Sequence, residues 1–546
     1  MKSPLRIIWF SLLCASALWG FFFLILTLIY DAKGAVEGDV MIFLSIGRGM
    51  QNGLSIYTDM FESKPPGVLL LSYLSMWLTN GPGLMRIAQD IGLLVVPFFL
   101  AYISRQRLER AVCAFTFGCT LSCWSYANSM GMETEIFGLL PMVLYAVLIT
   151  SPMNQKKVLL SGVCTFLATF FREPFILGGV AASILVSKNP KEFVLRFVYP
   201  AIVAGVIYLL ALTFTGVLIP YFQVYLPGML KDRIQTADSG PLYLRAIWVQ
   251  RIFSSLTTYS SVPLLGYFVT ALGLFVTISK EKMDRIGILS MLAMLFGAWG
   301  LGEYFVLLTV CYKQGGHGFS CWTTVTDPGL WMIDSLFVCG TVLFLGLLAY
   351  IGKKNLRMLV SILCALSVLP ILGAAISLGG YGRRYLLFLI PVIVSLFLIS
   401  LKKLNTIVLA SLVAILTITS RAPNESLQII KAFHENQKLS AQLDGLMEAC
   451  GYKTYVFGGH TPVFAFSKYS PIGPLFVFPA HTYLGYDHPL YQETMLNMLR
   501  MGKLLVVEIP YNDSYFPPEL RNLFAATEPA CAKGHMIPGF VLRFRD

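Results

Sequence analysis

The residues best suited to chemistry lie within residues 37–67, a stretch that follows the first long apolar segment of the chain. Asp39 opens an amphipathic segment, so we expect its carboxylate near the amino-terminal end of a helix. The helix dipole favours the ionised form there, and an ionised carboxylate can act as a general base toward a hydroxyl group. The alternative is that Asp39 serves only as an acidic N-cap.

Lys64 is the second candidate of this stretch and lies in the sequence YTDMFESKPPG of residues 57–67. Pro65 and Pro66 stiffen the backbone directly after it. A lysine held in this way is a point charge suited to a phosphate group. The alternatives are that Lys64 pairs with Glu62 or reaches toward lipid headgroups.

Further charged residues interrupt or border apolar sequence elsewhere in the chain. Glu133 and Glu135 precede a long apolar run, and Arg172 and Glu173 have apolar sequence on both sides. Charges in such surroundings are costly unless a polar site receives them, although Arg172 and Glu173 can also pair with each other. We expect these charges to converge on one polar site, together with the most distant pair in sequence, Arg383 and Arg384.

The elements that must position these residues are membrane helices. The 546-residue chain is 56% hydrophobic with a mean hydropathy of +0.69, which is far above the globular average and indicates an integral membrane protein. Apolar runs of about 17 to 25 residues count as spans, so we predict an all-α membrane domain over residues 1–420 with about thirteen transmembrane helices. These are placed at 7–29, 86–104, 111–128, 134–152, 158–171, 174–187, 194–216, 251–279, 286–311, 328–351, 358–378, 385–401 and 405–420.

The distribution of charge predicts the orientation of these spans. Every second connection is short and basic, as cytoplasmic loops are, which puts the amino terminus inside and the carboxyl terminus outside. The first outer loop, 30–85, contains the stretch 37–67 and is expected to open with a helix lying along the interface. The basic loops account for the net charge of +12, so we expect no nucleic-acid partner.

Residues 421–546 have the composition of a soluble domain. Residues 425–450 show helical periodicity, and 454–457 and 503–509 are rich in strand-forming residues. A helix alternating with strands predicts a small α/β domain on the extracytoplasmic side. Disulfide bonds are possible among the cysteines that the topology places outside, in a pairing that the sequence leaves open: Cys311, Cys321, Cys450 and Cys531.

The sequence lacks the motifs of soluble enzymes. It contains no GxxxxGK[ST] phosphate loop, no HExxH zinc motif and no GxSxG nucleophile elbow. The eleven cysteines include no CxxC pair, and the six histidines are scattered. We therefore expect no metal site built from cysteine or histidine.

The order of the charged motifs resembles that of the GT-C membrane glycosyltransferases of the protein O-mannosyltransferase and lipid A aminoarabinose transferase type. The likeness begins with an acidic residue opening the first outer loop, GR near the end of the next helix, and then NG…Y.D.F..KPPG. It continues through ANSMGMETEIFGLLP, FREPF, RRYLLFLIP and TYVFGGHTPVFAFSKYSP, and so covers most of the chain in order. Two details differ: Asp39 is followed by Val40 instead of a second acidic residue, and Glu62 lies two residues before Lys64.

The resemblance implies transfer of a sugar from a polyprenyl-phosphate donor to a lipid, glycan or protein acceptor, by a single displacement with inversion. Asp39 would act on the acceptor hydroxyl, and Glu135 would position the acceptor or the sugar. The departing phosphate would be held by Lys64, Arg172, Arg383 and Arg384, with Glu37, Glu62, Glu133 and Glu173 in supporting positions. The resemblance also implies no cofactor and no obligatory metal, and a place in a bacterial inner membrane.

Two other functions stay open on sequence grounds. A transporter or flippase of a lipid-linked saccharide predicts internal repeats and helices broken at matching positions of two halves, and the sequence contains no such repeat. A noncatalytic membrane scaffold would leave the cluster of Asp39, Lys64 and Glu135 without a task. The glycosyltransferase is therefore the favoured interpretation.

Overall fold

The computed structural model describes residues 4–33, 38–60, 62, 64–129, 131–229, 387–403, 426–452, 455–458, 467–469, 504–508, 530–532 and 541–545. Most of these residues are helical. The helices are α1 (Pro4–Lys33), α2 (Gly38–Gln51), α3 (Pro66–Thr79), α4 (Gly83–Ile103), α5 (Leu108–Ser129), α6 (Leu139–Ile149), α7 (Gln155–Phe171), α8 (Phe175–Val186), α9 (Pro190–Phe193), α10 (Tyr199–Phe214), α11 (Leu218–Pro220), α12 (Ile390–Lys403) and α13 (Ser426–Cys450). A 3₁₀ turn, Ile136–Gly138, leads into α6, and π-helical turns follow α9 and α11 at Val194–Val198 and Tyr221–Tyr225.

Three helical segments among the described residues are long and apolar enough to cross a membrane: Phe10–Ile29, Gly83–Ile103 and Pro190–Phe214. Their outward faces carry large apolar side chains, while hydroxyl-bearing side chains such as Thr120 and Ser122 of α5 are buried. The pattern is clearest on α4, which exposes residues at helical spacing: Ile87, Ile91, Val95, Phe98 and Tyr102. An apolar outside around a partly polar inside fits a membrane-embedded protein.

The predicted runs at 7–29, 86–104 and 194–216 coincide with these three segments. The break predicted between 158–171 and 174–187 is also confirmed, because α7 ends at Phe171 and α8 begins at Phe175. Shorter apolar helices also occur, at Pro66–Thr79, Ile136–Ile149, Phe175–Val186 and Leu387–Leu401. The predicted runs at 251–279, 286–311, 328–351, 358–378 and 405–420 lie outside the described residues.

The predicted loop 30–85 contains two helices, α2 and α3, which pack against each other. The prediction of an amphipathic α2 with one apolar face is wrong for the middle of this helix. Val40 and Phe43 on one face and Met41 and Ile42 on the other are all buried. The polar Ser45 is accommodated because its hydroxyl donates a hydrogen bond to the carbonyl of Met41 at 2.9 Å.

Close backbone contacts at glycines bring neighbouring helices together. A Cβ added at Gly47 of α2 would lie 2.7 Å from the backbone of Ser72 in α3. A Cβ at Gly67, the second residue of α3, would clash with the backbone carbonyl of Phe170 near the end of α7. The start of α3 therefore lies directly against the end of α7, a contact that only glycine permits.

The described carboxyl-terminal residues include α13 and the strands β1 (Tyr455–Gly458), β2 (Leu504–Glu508) and β3 (Val541–Arg545), in the order β1-β2-β3. β1 pairs with β2 in parallel, with Tyr455 opposite Leu505, and β3 is antiparallel to β2. The helix and both strands predicted here are confirmed at nearly the same positions. A disulfide joins Cys450 to Cys531, whereas Cys311 and Cys321 lie outside the described residues.

Replacing Gly67 with alanine is expected to destabilise the protein by about 1–3 kcal/mol, the usual cost of overpacking. The measurement is the thermal unfolding midpoint of the detergent-solubilised protein. Gly205→Ala in α10 is the matched control, since a Cβ at Gly205 meets nothing within 4 Å. Equal unfolding midpoints for the two variants would contradict a direct contact of Gly67 with the backbone of Phe170.

Candidate functional site

Asp39 and Lys64 form an ion pair, with Lys64 Nζ 2.9 Å from Asp39 Oδ2. Asp39 is in the first turn of α2. Lys64 directly precedes Pro65, the N-cap of α3, and Pro66, its first residue. The side chains of Lys64 and Asp39 are 13% and 18% exposed, so both remain partly accessible. Lys64 Nζ also lies 5.9 Å from the ring centre of Phe43, one turn after Asp39. The packing of α2 on α3 thus joins the two residues that the sequence analysis placed in one site.

Glu135 and Arg172 form a second ion pair, with Arg172 Nε 3.1 Å from Glu135 Oε1. The side chain of Glu135 is fully buried and that of Arg172 is 5% exposed. The hydroxyl of Thr134 donates a hydrogen bond to the other carboxylate oxygen, Oε2, at 2.8 Å. Burying two charges has a large desolvation cost, and the attraction between them offsets that cost only when their geometry is good. This pair is therefore better evidence of a polar site than of a stabilising device.

Glu173 follows Arg172 in the break between α7 and α8 and accepts hydrogen bonds from tyrosines. The hydroxyls of Tyr225 and Tyr221 donate to Glu173 Oε1 at 2.9 Å and 3.5 Å. The sequence allowed Arg172 to pair with its neighbour Glu173. The structure instead directs the two side chains to different groups, Arg172 to Glu135 and Glu173 to the tyrosines.

Tyr57 connects the tyrosines to Lys64. Its ring centre lies 4.7 Å from that of Tyr225, and its hydroxyl donates to the backbone carbonyl of Lys64 at 2.7 Å. Burial raises the pKa of the Tyr57 phenol well above its usual value, and the negative charge of Glu173 adds to this shift. The phenol therefore stays protonated and remains a hydrogen-bond donor at physiological pH.

The two ion pairs lie at the same end of the helical bundle. Gly67, three residues after Lys64, packs on the backbone of Phe170, two residues before Arg172. The ring of Tyr57 also packs at a tilt against that of Tyr225, whose hydroxyl donates to Glu173, and this contact joins the same two regions a second time. Cations and carboxylates in a largely apolar setting can hold an anionic group and accept a proton beside it.

Two of the residues predicted in supporting positions, Glu62 and Glu133, are also buried. Glu62 is 1% exposed and its charge acts on Tyr57, and Glu133 is 6% exposed in the turn before Glu135. The remaining predicted site residues lie outside the described residues: Glu37, Arg383 and Arg384. Within the described part of the chain, no group of three His, Cys, Asp or Glu side chains is arranged to hold a metal ion.

A further polar cluster, which the sequence analysis did not predict, lies at the carboxyl-terminal ends of α1 and α5 and the amino-terminal end of α4. Arg86 Nε lies 3.2 Å from Asp31 Oδ2, and the Tyr126 hydroxyl donates to Asp31 Oδ1 at 2.9 Å. In the adjoining turn, the backbone amide of Met132 donates to the side-chain carbonyl of Gln89. The sequence does contain a signal for this cluster, because Asp31 and Arg86 are opposite charges at the two borders of the predicted loop 30–85.

No protein-family model matches the sequence, and a search of curated proteins finds no match. The arrangement of Asp39, Lys64, Glu135 and Arg172, together with the likeness of the motifs, is therefore what bears on the function.

Neutralising one member of the Glu135–Arg172 pair is expected to destabilise the protein by about 3–5 kcal/mol, because the other charge is left buried. Glu135→Gln and Arg172→Gln are measured singly and together by chemical unfolding of the detergent-solubilised protein. The double variant should lose less stability than the sum of the two single losses. The more exposed Glu192–Arg196 pair provides the control cycle, for which a much smaller coupling is expected. Additive losses at Glu135 and Arg172 would contradict a direct interaction.

Proposed function

We propose that this protein is an integral membrane glycosyltransferase, which moves a sugar from a polyprenyl-phosphate donor to a hydroxyl group of a lipid, glycan or protein acceptor. The observation that carries the proposal is the partly exposed ion pair of Asp39 and Lys64 at 2.9 Å. It puts a carboxylate that can accept a proton beside a cation that can hold a phosphate.

In the proposed reaction, Lys64 and Arg172 bind the phosphate of the donor. The bond between the anomeric carbon and the phosphate oxygen breaks, and the bonding electrons leave with the phosphate. Negative charge grows on that oxygen in the transition state, where preorganised cations in a site with little water stabilise it most. The chemistry needs no nucleotide, because the donor arrives already linked to lipid.

Asp39 acts on the acceptor in this proposal. The acceptor hydroxyl attacks the anomeric carbon from the side opposite the phosphate, which inverts the configuration, and its proton passes to the Asp39 carboxylate. The donor phosphate would replace Asp39 as the partner of Lys64, which leaves the carboxylate available to the hydroxyl. Glu135, held by Arg172 and Thr134, would orient the acceptor or the sugar.

The finer architecture belongs to the same proposal. It comprises about thirteen spans of GT-C type over residues 1–420, interfacial helices in the loop 30–85, and an extracytoplasmic α/β domain at 421–546 in a bacterial inner membrane. The disulfide between Cys450 and Cys531 supports this orientation, because disulfides persist in oxidising compartments outside the cytoplasm.

The experiment is a transfer assay with purified protein, several radiolabelled polyprenyl-phosphate sugars and a cell-envelope extract as the source of acceptor. We expect labelled product from the wild type and a rate about 10²–10⁴-fold lower for Asp39→Asn, the range that a general base contributes. Lys64→Ala is expected to raise the KM for the donor. Glu192→Gln and Lys157→Ala, which alter charges at the opposite end of the bundle, should retain the wild-type rate.

Two results would overturn the proposal. One is the absence of labelled product from the wild type with every donor tested, and the other is undiminished transfer by Asp39→Asn. A liposome assay of the same donors separates the alternative function: donor that crosses the bilayer without transfer of its sugar would indicate a flippase.

A further inference from the structure

We propose that Tyr57 is a positioning residue that fixes Lys64 relative to Arg172, so that the two cations are correctly spaced for one donor phosphate. The inference rests on the proposed function and extends it to a residue that has no charge and does not touch the phosphate. It draws on a chain of contacts from Lys64 through Tyr57 and Tyr225 to Glu173, the neighbour of Arg172.

The first contact fixes the backbone of Lys64. The hydroxyl of Tyr57 donates to the carbonyl of Lys64 at 2.7 Å and holds it, and the ring of Pro65 restricts the backbone that follows. Together these two constraints limit the positions that the Lys64 Cα atom can take. Tyr57 binds the carbonyl of Lys64, so this hydrogen bond does not replace the ion pair of the ammonium group with Asp39.

Tyr57 is itself firmly placed. Its side chain is fully buried, and its backbone amide donates to the carbonyl of Met60 at 2.8 Å. Its φ angle is +67°, in the left-handed region that few residues other than glycine adopt. Such a conformation persists only where surrounding contacts impose it. The turn around Tyr57 is thus held in one conformation by several contacts at once.

The second half of the chain of contacts leads to Arg172. The ring of Tyr57 packs on Tyr225, whose hydroxyl donates to Glu173 Oε1 at 2.9 Å. Glu173 and Arg172 belong to the same turn, in which the amide of Phe175 donates to the carbonyl of Arg172 at 3.2 Å. Movement of the Lys64 backbone away from Arg172 would therefore have to break one of the two hydrogen bonds or the ring contact between them.

The spacing of two cations matters because a phosphate group is small and its stabilisation depends on preorganisation. Supporting contacts that hold reacting groups to within about 0.5 Å separate an effective site from a loose one. Tyr57 supplies such a contact from outside the charged groups. Replacing Tyr57 should therefore change the constants for the donor, which Lys64 and Arg172 bind in the proposed function, and leave the KM for the acceptor unchanged.

The test compares Tyr57→Phe and Tyr225→Phe with the matched control Tyr208→Phe. Tyr208 belongs to the same cluster, and its hydroxyl donates to Tyr221 at 3.2 Å, off the path between Lys64 and Arg172. We expect the Kd for a polyprenyl monophosphate and the KM for the donor to rise about threefold to tenfold in the two test variants, as the loss of one hydrogen bond predicts. The KM for the acceptor should stay unchanged, and Tyr208→Phe should match the wild type in all three constants.

A second measurement does not depend on transfer. Hydrogen–deuterium exchange should accelerate in the peptide that contains Lys64 for Tyr57→Phe and not for Tyr208→Phe. Equal exchange and equal donor constants in these two variants would overturn the role of Tyr57 even if the wild type transfers sugar. Conversely, wild-type protein that transfers no sugar, but binds polyprenyl monophosphate more tightly than Tyr57→Phe does, would remove the proposed function and retain this positioning role.

Discussion

The structure depends on the high cost of burying a charge without a partner in apolar surroundings. Among the described residues, three ion pairs satisfy this constraint by joining different helices or their connecting turns: Asp39 with Lys64, Glu135 with Arg172, and Asp31 with Arg86. Apolar packing alone would tolerate many arrangements of these helices, because most side chains on both their outward and their buried faces are apolar. The requirement to pair each charge is more restrictive, because it fixes which helix ends and connecting turns lie next to each other at one end of the bundle.

The sequence predicted the parts of this arrangement that depend on local composition. Apolar runs located α1, α4 and α10, and the charged break at Arg172 separated α7 from α8. The prolines after Lys64 and the apolar run after Glu135 drew attention to these two residues. The partner of Arg172 could not be predicted, because its neighbour Glu173 and the distant Glu135 are both chemically suitable. The choice follows from tertiary packing, in which the turn Ile136–Gly138 and α6, directly after Glu135, pack against α7, which ends just before Arg172.

The failure of the amphipathic prediction for α2 has a related cause. The helical spacing of apolar residues locates the face that avoids water, but the prediction also assumes that the opposite face meets water. In α2 the opposite face is covered, so Met41 and Ile42 are as deeply buried as Phe43. Among the α2 residues whose burial is described, Asp39 and the end of the helix near Arg48 retain partial exposure, which places the accessible polar groups at the helix termini.

Neutral and charged groups have separate tasks at this end of the bundle. Burial keeps the Tyr57 phenol protonated, and it binds a backbone carbonyl, which carries no net charge. A second carboxylate in its place could also hold Lys64, but it would compete with Asp39 and with an incoming phosphate for the ammonium group. A neutral donor avoids this competition, because it orders the backbone without altering the charge balance of the site. The hydroxyl of Tyr57 therefore orders the backbone at Lys64 without replacing the ion pair of its ammonium group with Asp39, which is the group that the proposed mechanism exchanges for a phosphate.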